Sequence, residues 1–239
     1  MIISHRHKFI FLKTVKTGGT SVEIALSRYC GDEDVVTPIS PADEPTRLEL
    51  GITPRNYLAP RAAYSLPDYY KLLMQREEKK LYWNHITAAE VRERIGADIW
   101  DSYFKFTVER NPWDKTISDF YWRGSRGGPQ SLDAYFRKYR GDFKHFNYPR
   151  YSLNGAVAVD AIVRFEQLIP DLTSVLQRVG IQFDGWLPRA KGTSRKDRRH
   201  YSELLSPAQQ QVIAEHFRLE IELLEYKLET APAAGRAAA

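Results

Sequence analysis

Cysteine is nearly missing from this sequence: Cys30 is the only one among 239 residues. An internal disulfide is therefore excluded, and a reducing compartment is the simplest inference. Cys30 follows the first expected helix and reads as a buried or half-buried small hydrophobe, not a catalytic thiol. Long hydrophobic runs are also missing. No stretch approaches a membrane span, and the opening MIISHRHKFIFL lacks the apolar core of a secretory leader. A soluble, cytoplasmic protein is expected. Charge of one sign is scarce too, since 35 Lys and Arg face 30 Asp and Glu for a net +5 and a pI near 9.2. That modest excess suits a polyanionic ligand without requiring nucleic acid. No internal repeat or second domain boundary is visible, so residues 1–230 read as one domain and residues 231–239 as a disordered low-complexity tail.

With 43% hydrophobic and 27% charged residues, the chain can bury a full core. The informative stretch is Phe9 to Ser27, FIFLKTVKTGGTSVEIALS. Phe9-Ile10-Phe11-Leu12 has the length and content of a buried strand. An apolar pattern of helical period resumes at Val22, Ala25 and Leu26, and Thr20-Ser21-Val22-Glu23 reads as a capping box that makes Glu23 a helix cap. Strand, glycine-rich loop and helix N-terminus together form a phosphate-holding arrangement, because backbone N–H groups and the helix dipole face the anion. The nucleotide-binding Walker pattern places its Lys after the glycines. Here Lys16 precedes Gly18-Gly19, so that pattern fails.

Residues 31–80 contain Pro38, Pro41, Pro45, Pro54 and Pro60, show little periodicity, and read either as a substrate-facing lid or as a surface insertion. A helix is expected over Asp68 to Lys80, and Leu81 to Ile86 could form a strand that places His85 at its end. Thr87-Ala88-Ala89-Glu90 is a second capping box, with Gly96 ending its helix. Tyr103 to Val108 reads as a strand running into Asn111, a natural N-cap, followed by Pro112 at the first helical position. This second strand-to-helix junction carries Arg110, with Ser118 two turns into the helix. Ser131 to Arg140 is a further helix. Ala161 to Phe165 is a third buried strand, and a helix follows from Pro170 to Val179, closed by Gly180. A basic loop holds Arg189, Lys191, Arg195, Lys196, Arg198 and Arg199. Ser206 then caps one long helix through Ile213, Phe217, Ile221 and Leu224.

The loop Val15-Lys16-Thr17-Gly18-Gly19-Thr20-Ser21 resembles the 5′-phosphosulfate loop of the sulfotransferases, commonly PKTGGTS, with Val15 in place of the usual Pro. The second junction, Val108-Glu109-Arg110-Asn111-Pro112-Trp113-Asp114-Lys115 with Ser118, resembles their 3′-phosphate motif VRNPWDR plus Ser. Glu109 and Lys115 are the departures. Asn84 to Glu90, Val163 to Leu168 with Asp171-Leu172, and His200 to Leu204 through Ile221 to Tyr226 also match in order and spacing. The resemblance covers nearly the whole chain and points to the group that includes the carbohydrate 2-O-sulfotransferases.

It implies an α/β, three-layer, P-loop-like fold with a mainly parallel central sheet flanked by helices. It also implies transfer of a sulfuryl group from 3′-phosphoadenosine 5′-phosphosulfate to an acceptor hydroxyl, on a carbohydrate or small metabolite, with no metal. Lys16 would stabilise the leaving phosphate, and Thr17, Gly18, Gly19, Thr20 and Ser21 would hold the 5′-phosphate. Arg110 and Ser118 would hold the 3′-phosphate. Arg195 and Arg199, with Lys191, would cover the donor, or that loop could instead attract an anionic acceptor. His85 is the candidate general base and His200 its rival. Glu166 reads as a structural anchor. Two other classes stay open: a kinase-like phosphotransferase using ATP and Mg²⁺, and a basic nucleic-acid-binding module using the aromatic-rich surface. The first lacks the Lys after the glycines, and the second leaves both capped junctions unexplained.

Overall fold

Phe9–Leu12 is fully buried, and its alternate side chains Phe9 and Phe11 stack against Phe106 of a neighbouring strand, with ring centroids 5.7 and 5.3 Å apart. In a computed structural model of the chain, residues 1–188, 195 and 197–229 are described. Arg189, Lys191, Lys196 and the tail 230–239 lie outside them, and with them the expectations placed on those residues.

The strands in chain order are β1 (Ile2–Ser4), β2 (Phe9–Leu12), β3 (Val35–Val36), β4 (Phe104–Glu109), β5 (Ser152–Leu153), β6 (Ala156–Val157) and β7 (Ala161–Arg164). The helices begin with α1 (Gly19–Ser27), α2 (Glu44–Leu48), α3 (Leu66–Gln75), α4 (Ala88–Ile95), α5 (Ala97–Ser102) and α6 (Pro112–Gly124). They continue with α7 (Leu132–Tyr139), α8 (Leu168–Arg178), α9 (Tyr201–Leu204), α10 (Pro207–His216) and α11 (Arg218–Leu224).

The described residues fall into two compact units. The first, built from Met1–Thr14, Gly18–Glu109 and residues 149–188, holds a sheet of order β3-β1-β2-β4-β7 and a separate β5–β6 hairpin. β2, β4 and β7 are parallel, with Phe11 opposite Phe106 and Val108 opposite Val163. β1 pairs antiparallel with both β2 and the edge strand β3, which the sequence did not signal. The physical reason is the short link from Ser4 to Phe9, which permits only a tight return, whereas a parallel neighbour needs a long crossover. Asp34 fastens that return by accepting the N–H groups of His5 and Arg6 at 2.6 and 3.1 Å. Val22 and Leu26 of α1 and Leu172, Val175 and Leu176 of α8 complete the unit's core.

The second unit, built from Val15–Thr17, Arg110–Tyr148, residue 195 and residues 197–229, is helical. Its core joins Trp113, Ile117 and Phe120 of α6 to Tyr135 and Phe136 of α7, to Tyr201, and to Ile213 and Phe217. The fully buried ion pair Lys115–Glu220, at 2.5 Å, sits under Phe217.

Several expected boundaries shift. Thr20 and Glu23 do not form a capping box: the N-cap of α1 is Gly18, with no side-chain cap. Leu81 to Ile86 is not a strand, because His85 has φ 61 and turns the chain away from extended geometry. The helix expected over Asp68 to Lys80 starts and stops earlier, capped by Ser65 and Asp68 and ended by left-handed Arg76. It exposes Leu66, Tyr70, Leu73 and Met74. The long C-terminal helix breaks at Phe217 into α10 and α11. Cys30 is half-buried, and burial, aided by the Asp34 carboxylate, pushes its thiol up to about 12. No described helix is long and apolar enough to cross a membrane.

Candidate functional site

Beyond the buried end of β2 the chain must turn sharply to enter α1, and two residues do so with left-handed backbones: Lys16 at φ 66 and Gly18 at φ 77. Glycine takes that conformation freely, whereas a lysine does so at a cost of about 1 kcal/mol or more. Gly18 and Gly19 are also required sterically. A Cβ on Gly18 would lie 2.9 Å from Cε2 of Phe165, and one on Gly19 would lie 2.9 Å from Cγ of Lys13. Phe165, from the stretch after β7, and Lys13 thus wall a bare backbone at the start of α1. The first N–H groups of a helix have no intrahelical acceptor and carry partial positive charge. A bare helix start of this kind can receive an anion such as phosphate. Thr17 and Thr20, expected beside it, are buried, and Ser21 is half-buried.

Glu23, freed from capping, lies fully buried with its carboxylate 2.7 Å from the Lys13 ammonium. A carboxylate in that setting needs a cation more than α1 needs a cap. Burial pushes Glu23 up, but the Lys13 and Met1 N-terminal ammonium groups together hold it down to about 2. His85 lies beside the same lysine. Its Nδ1 is 3.1 Å from the Lys13 carbonyl, so Nδ1 carries the proton and donates, leaving Nε2 bare. Burial first, then the Lys13 charge, pushes His85 down to about 3. The half-buried imidazole is therefore neutral at pH 7, with an open lone pair.

At the second junction Asn111 caps α6 by accepting from the N–H groups of Trp113 and Asp114, and Pro112 opens the helix as expected. Arg110 donates from Nε and Nη2 to Oδ2 of Asp114 at 2.8 and 2.5 Å, and from Nη1 to the Lys16 carbonyl at 3.5 Å. The other Asp114 oxygen accepts from Nη1 of Arg195 at 2.7 Å. One carboxylate therefore gathers two of the expected site residues. Burial pushes Asp114 up, but the two guanidinium groups hold it below the usual carboxylate range. Lys16 extends its ammonium to 5.1 Å from the ring centre of Trp122 on α6. Ser118 is half-buried, and its hydroxyl makes no hydrogen bond among the described residues.

Not every expected residue joins these groups. Arg199 is 60% exposed and pairs with Asp197 at 2.6 Å. His200 caps α9, its Nδ1 accepting the Ser202 N–H at 3.4 Å, and its ring lies against Tyr201. A ring so employed is less available as a base than His85. Lys191 lies outside the described residues. Among the described residues no group of three His, Cys, Asp or Glu side chains is placed to hold a metal ion. Three contributors carried no local signal: Lys13 as the neighbour of His85, Asp114 as the link between arginines, and Trp122 as the platform under Lys16. Only Asp114 lies inside the quoted motif, where it reads as a first-turn helix residue.

Parallel strands that pass into helices through a glycine turn and an Asn-Pro turn place the chain among α/β proteins of the strand–loop–helix type. It belongs to the same family as an uncharacterised protein of Archaeoglobus fulgidus, with 32% identity over 96 residues, spanning 38% of this chain and 79% of that protein. Profiles of known protein families give no match. Among solved structures, the chain is similar to a sulfotransferase from Alicyclobacillus acidocaldarius, with a TM-score of 0.43 and 15% identity over 92% of this chain and 96% of the other.

Proposed function

We propose that this protein is a sulfotransferase that moves a sulfuryl group from 3′-phosphoadenosine 5′-phosphosulfate to the hydroxyl of a carbohydrate or small metabolite. The observation that carries the reading is the bare Gly18–Gly19 backbone at the start of α1, walled so that no side chain can fill it and preceded by a lysine in a strained, left-handed turn. Lys16, Thr17, Gly18, Gly19, Thr20 and Ser21 hold the 5′-phosphosulfate. Arg110, Arg195 and Ser118 hold the 3′-phosphate, with Asp114 keeping the two guanidinium groups oriented. Arg199 is assigned a lesser role as an exposed cation that attracts the anionic donor.

In the transfer the bond between sulfur and the bridging phosphate oxygen breaks, a bond between sulfur and the acceptor oxygen forms, and the acceptor proton passes to Nε2 of His85. Lys16 neutralises the charge that builds on the departing phosphate. Burial, and after it the Lys13 charge, makes His85 a weak base in the free protein. The negative charge of a bound donor offsets that effect and moves the imidazole toward a useful basicity.

The test supplies donor labelled in its sulfate group to a panel of glycans, phenols and small alcohols. Label is expected in a hydroxyl-bearing product together with release of adenosine 3′,5′-bisphosphate. Phosphate transfer from ATP with Mg²⁺ to the same acceptors, with no sulfate transfer, would overturn the proposal.

A further inference from the structure

Within the second unit the loop that carries Lys16 is gripped by a side chain distant in sequence. The Val15 N–H donates to Oδ1 of Asn147 at 2.9 Å, and Nδ2 of Asn147 donates back to the Val15 carbonyl at 3.1 Å. One carboxamide thus closes both polar groups of a single backbone residue. Asn147 is fully buried and is itself fixed. Its own N–H, at 2.5 Å, and that of Tyr148, at 3.1 Å, donate to Oε1 of Glu220. Oε2 of Glu220 accepts from Nζ of Lys115 at 2.5 Å, and Lys115 and Glu220 are both fully buried. A charge pair sealed from water thereby anchors the carboxamide.

From these contacts we infer that Asn147 is a positioning residue for Lys16, an inference that rests on the role proposed for Lys16 above. The peptide on one side of Lys16 is held by Asn147, and the carbonyl on the other side accepts from Arg110. Held at both ends, the residue keeps a left-handed backbone with φ 66 that a free lysine would leave. The side chain therefore departs from the loop in one direction, toward the Trp122 ring. The clamp also accounts for Val15 itself. A proline there has no N–H, and Oδ1 of Asn147 would be left buried without that donor. Lys115 and Glu220 belong to the same device, since without them the backbone beneath Asn147 loses its anchor.

Because Asn147 acts on the orientation of Lys16, only one of the several groups proposed to hold the donor, its loss weighs on turnover more than on donor binding and separates the kinetic constants. Asn147→Ala is expected to lower kcat on the order of tenfold, the worth of a buried hydrogen-bond pair left unmet. KM for the donor and affinity for adenosine 3′,5′-bisphosphate are expected to stay within about twofold. A second, activity-independent readout is amide hydrogen exchange at Val15, which is expected to quicken by tenfold or more in the variant. Val15→Pro removes the donor from the loop side, and the double variant is expected to lose little beyond either single change, since both break one contact. Unchanged exchange at Val15 in Asn147→Ala, or additive losses in the double variant, would overturn the inference. If Asn147→Ala does not fold, Val15→Pro decides through kcat: a tenfold fall supports the clamp, and full kcat removes it. If the unaltered protein transfers no sulfuryl group, the functional reading fails while the exchange experiment still decides whether Asn147 holds the loop.

Discussion

Replacing Gly18 by Ala tests the glycine cradle with one carbon atom. Two costs add at this position. At φ 77 an L-residue loses about 1–2 kcal/mol relative to glycine. The new Cβ would also sit 2.9 Å from Cε2 and 3.1 Å from Cδ2 of Phe165, a crowding of the overpacking kind worth about 1–3 kcal/mol. The sum is about 2–5 kcal/mol, which for a chain of this size lowers the thermal midpoint by roughly 5–15 °C. The two parts separate in a Phe165→Ala background, where the ring is gone and Gly18→Ala should cost only the backbone share. Thermal and urea melts of the four proteins give the coupling directly, expected at about 1–3 kcal/mol. The same Cβ intrudes on the anion cradle, so affinity for adenosine 3′,5′-bisphosphate should fall even in the relieved background. A Gly18→Ala penalty below about 0.5 kcal/mol, or one equal in both backgrounds, would refute the geometry.

Three further outcomes follow. His85→Ala should keep bisphosphate affinity and lose turnover by ~10²–10⁴-fold, the usual contribution of a general base, read by single-turnover kinetics; normal turnover would remove His85 from that role. Because folding lowers His85 from 6.5 to about 3, the folded protein binds fewer protons between those values, so stability present above pH 6.5 is lost as the pH falls toward 3. His85→Gln should flatten that loss by on the order of 1–2 kcal/mol, discounted for the half-buried ring, when urea midpoints at pH 7 and pH 4.5 are compared. Arg110→Ala should weaken bisphosphate binding at least tenfold by calorimetry, and Asp114→Asn should do so more mildly, by releasing Arg110 and Arg195 from their shared carboxylate.

How much of this was legible in the sequence follows from the range of the forces involved. Phe9–Leu12 and Phe104–Glu109 announce themselves as strands because their burial is nearly continuous, and Ala161–Arg164, where only Val163 is buried, through its short apolar run; the three form the parallel trio. The caps at Thr87 with Glu90 and at Asn111 with Pro112 are local hydrogen bonds written within a few residues. Where a long-range partner competes, local signals fail. Glu23 has the spacing of a cap but is drawn to Lys13. Leu81–Ile86 has the composition of a strand but bends at His85, whose ring bonds the Lys13 carbonyl. β1 and β3 are too short to show periodicity and exist through their pairing. At the proposed site, Lys16, Gly18, Gly19 and Arg110 are proposals that come from motifs in the sequence. Trp122, Asn147 and the Lys115–Glu220 pair could not be named in advance, because nothing in their neighbouring residues reveals the backbone or side chain they meet.

The central claim, a site made for a nucleotide phosphorylated at both ends, is tested most directly by titrating the protein in turn with adenosine 3′,5′-bisphosphate, with ATP plus Mg²⁺, and with an oligonucleotide in a calorimeter. The account predicts tight binding of the bisphosphate that is unchanged by chelator, and weaker binding of the other two. Preference for ATP with Mg²⁺, or for the oligonucleotide, would contradict it.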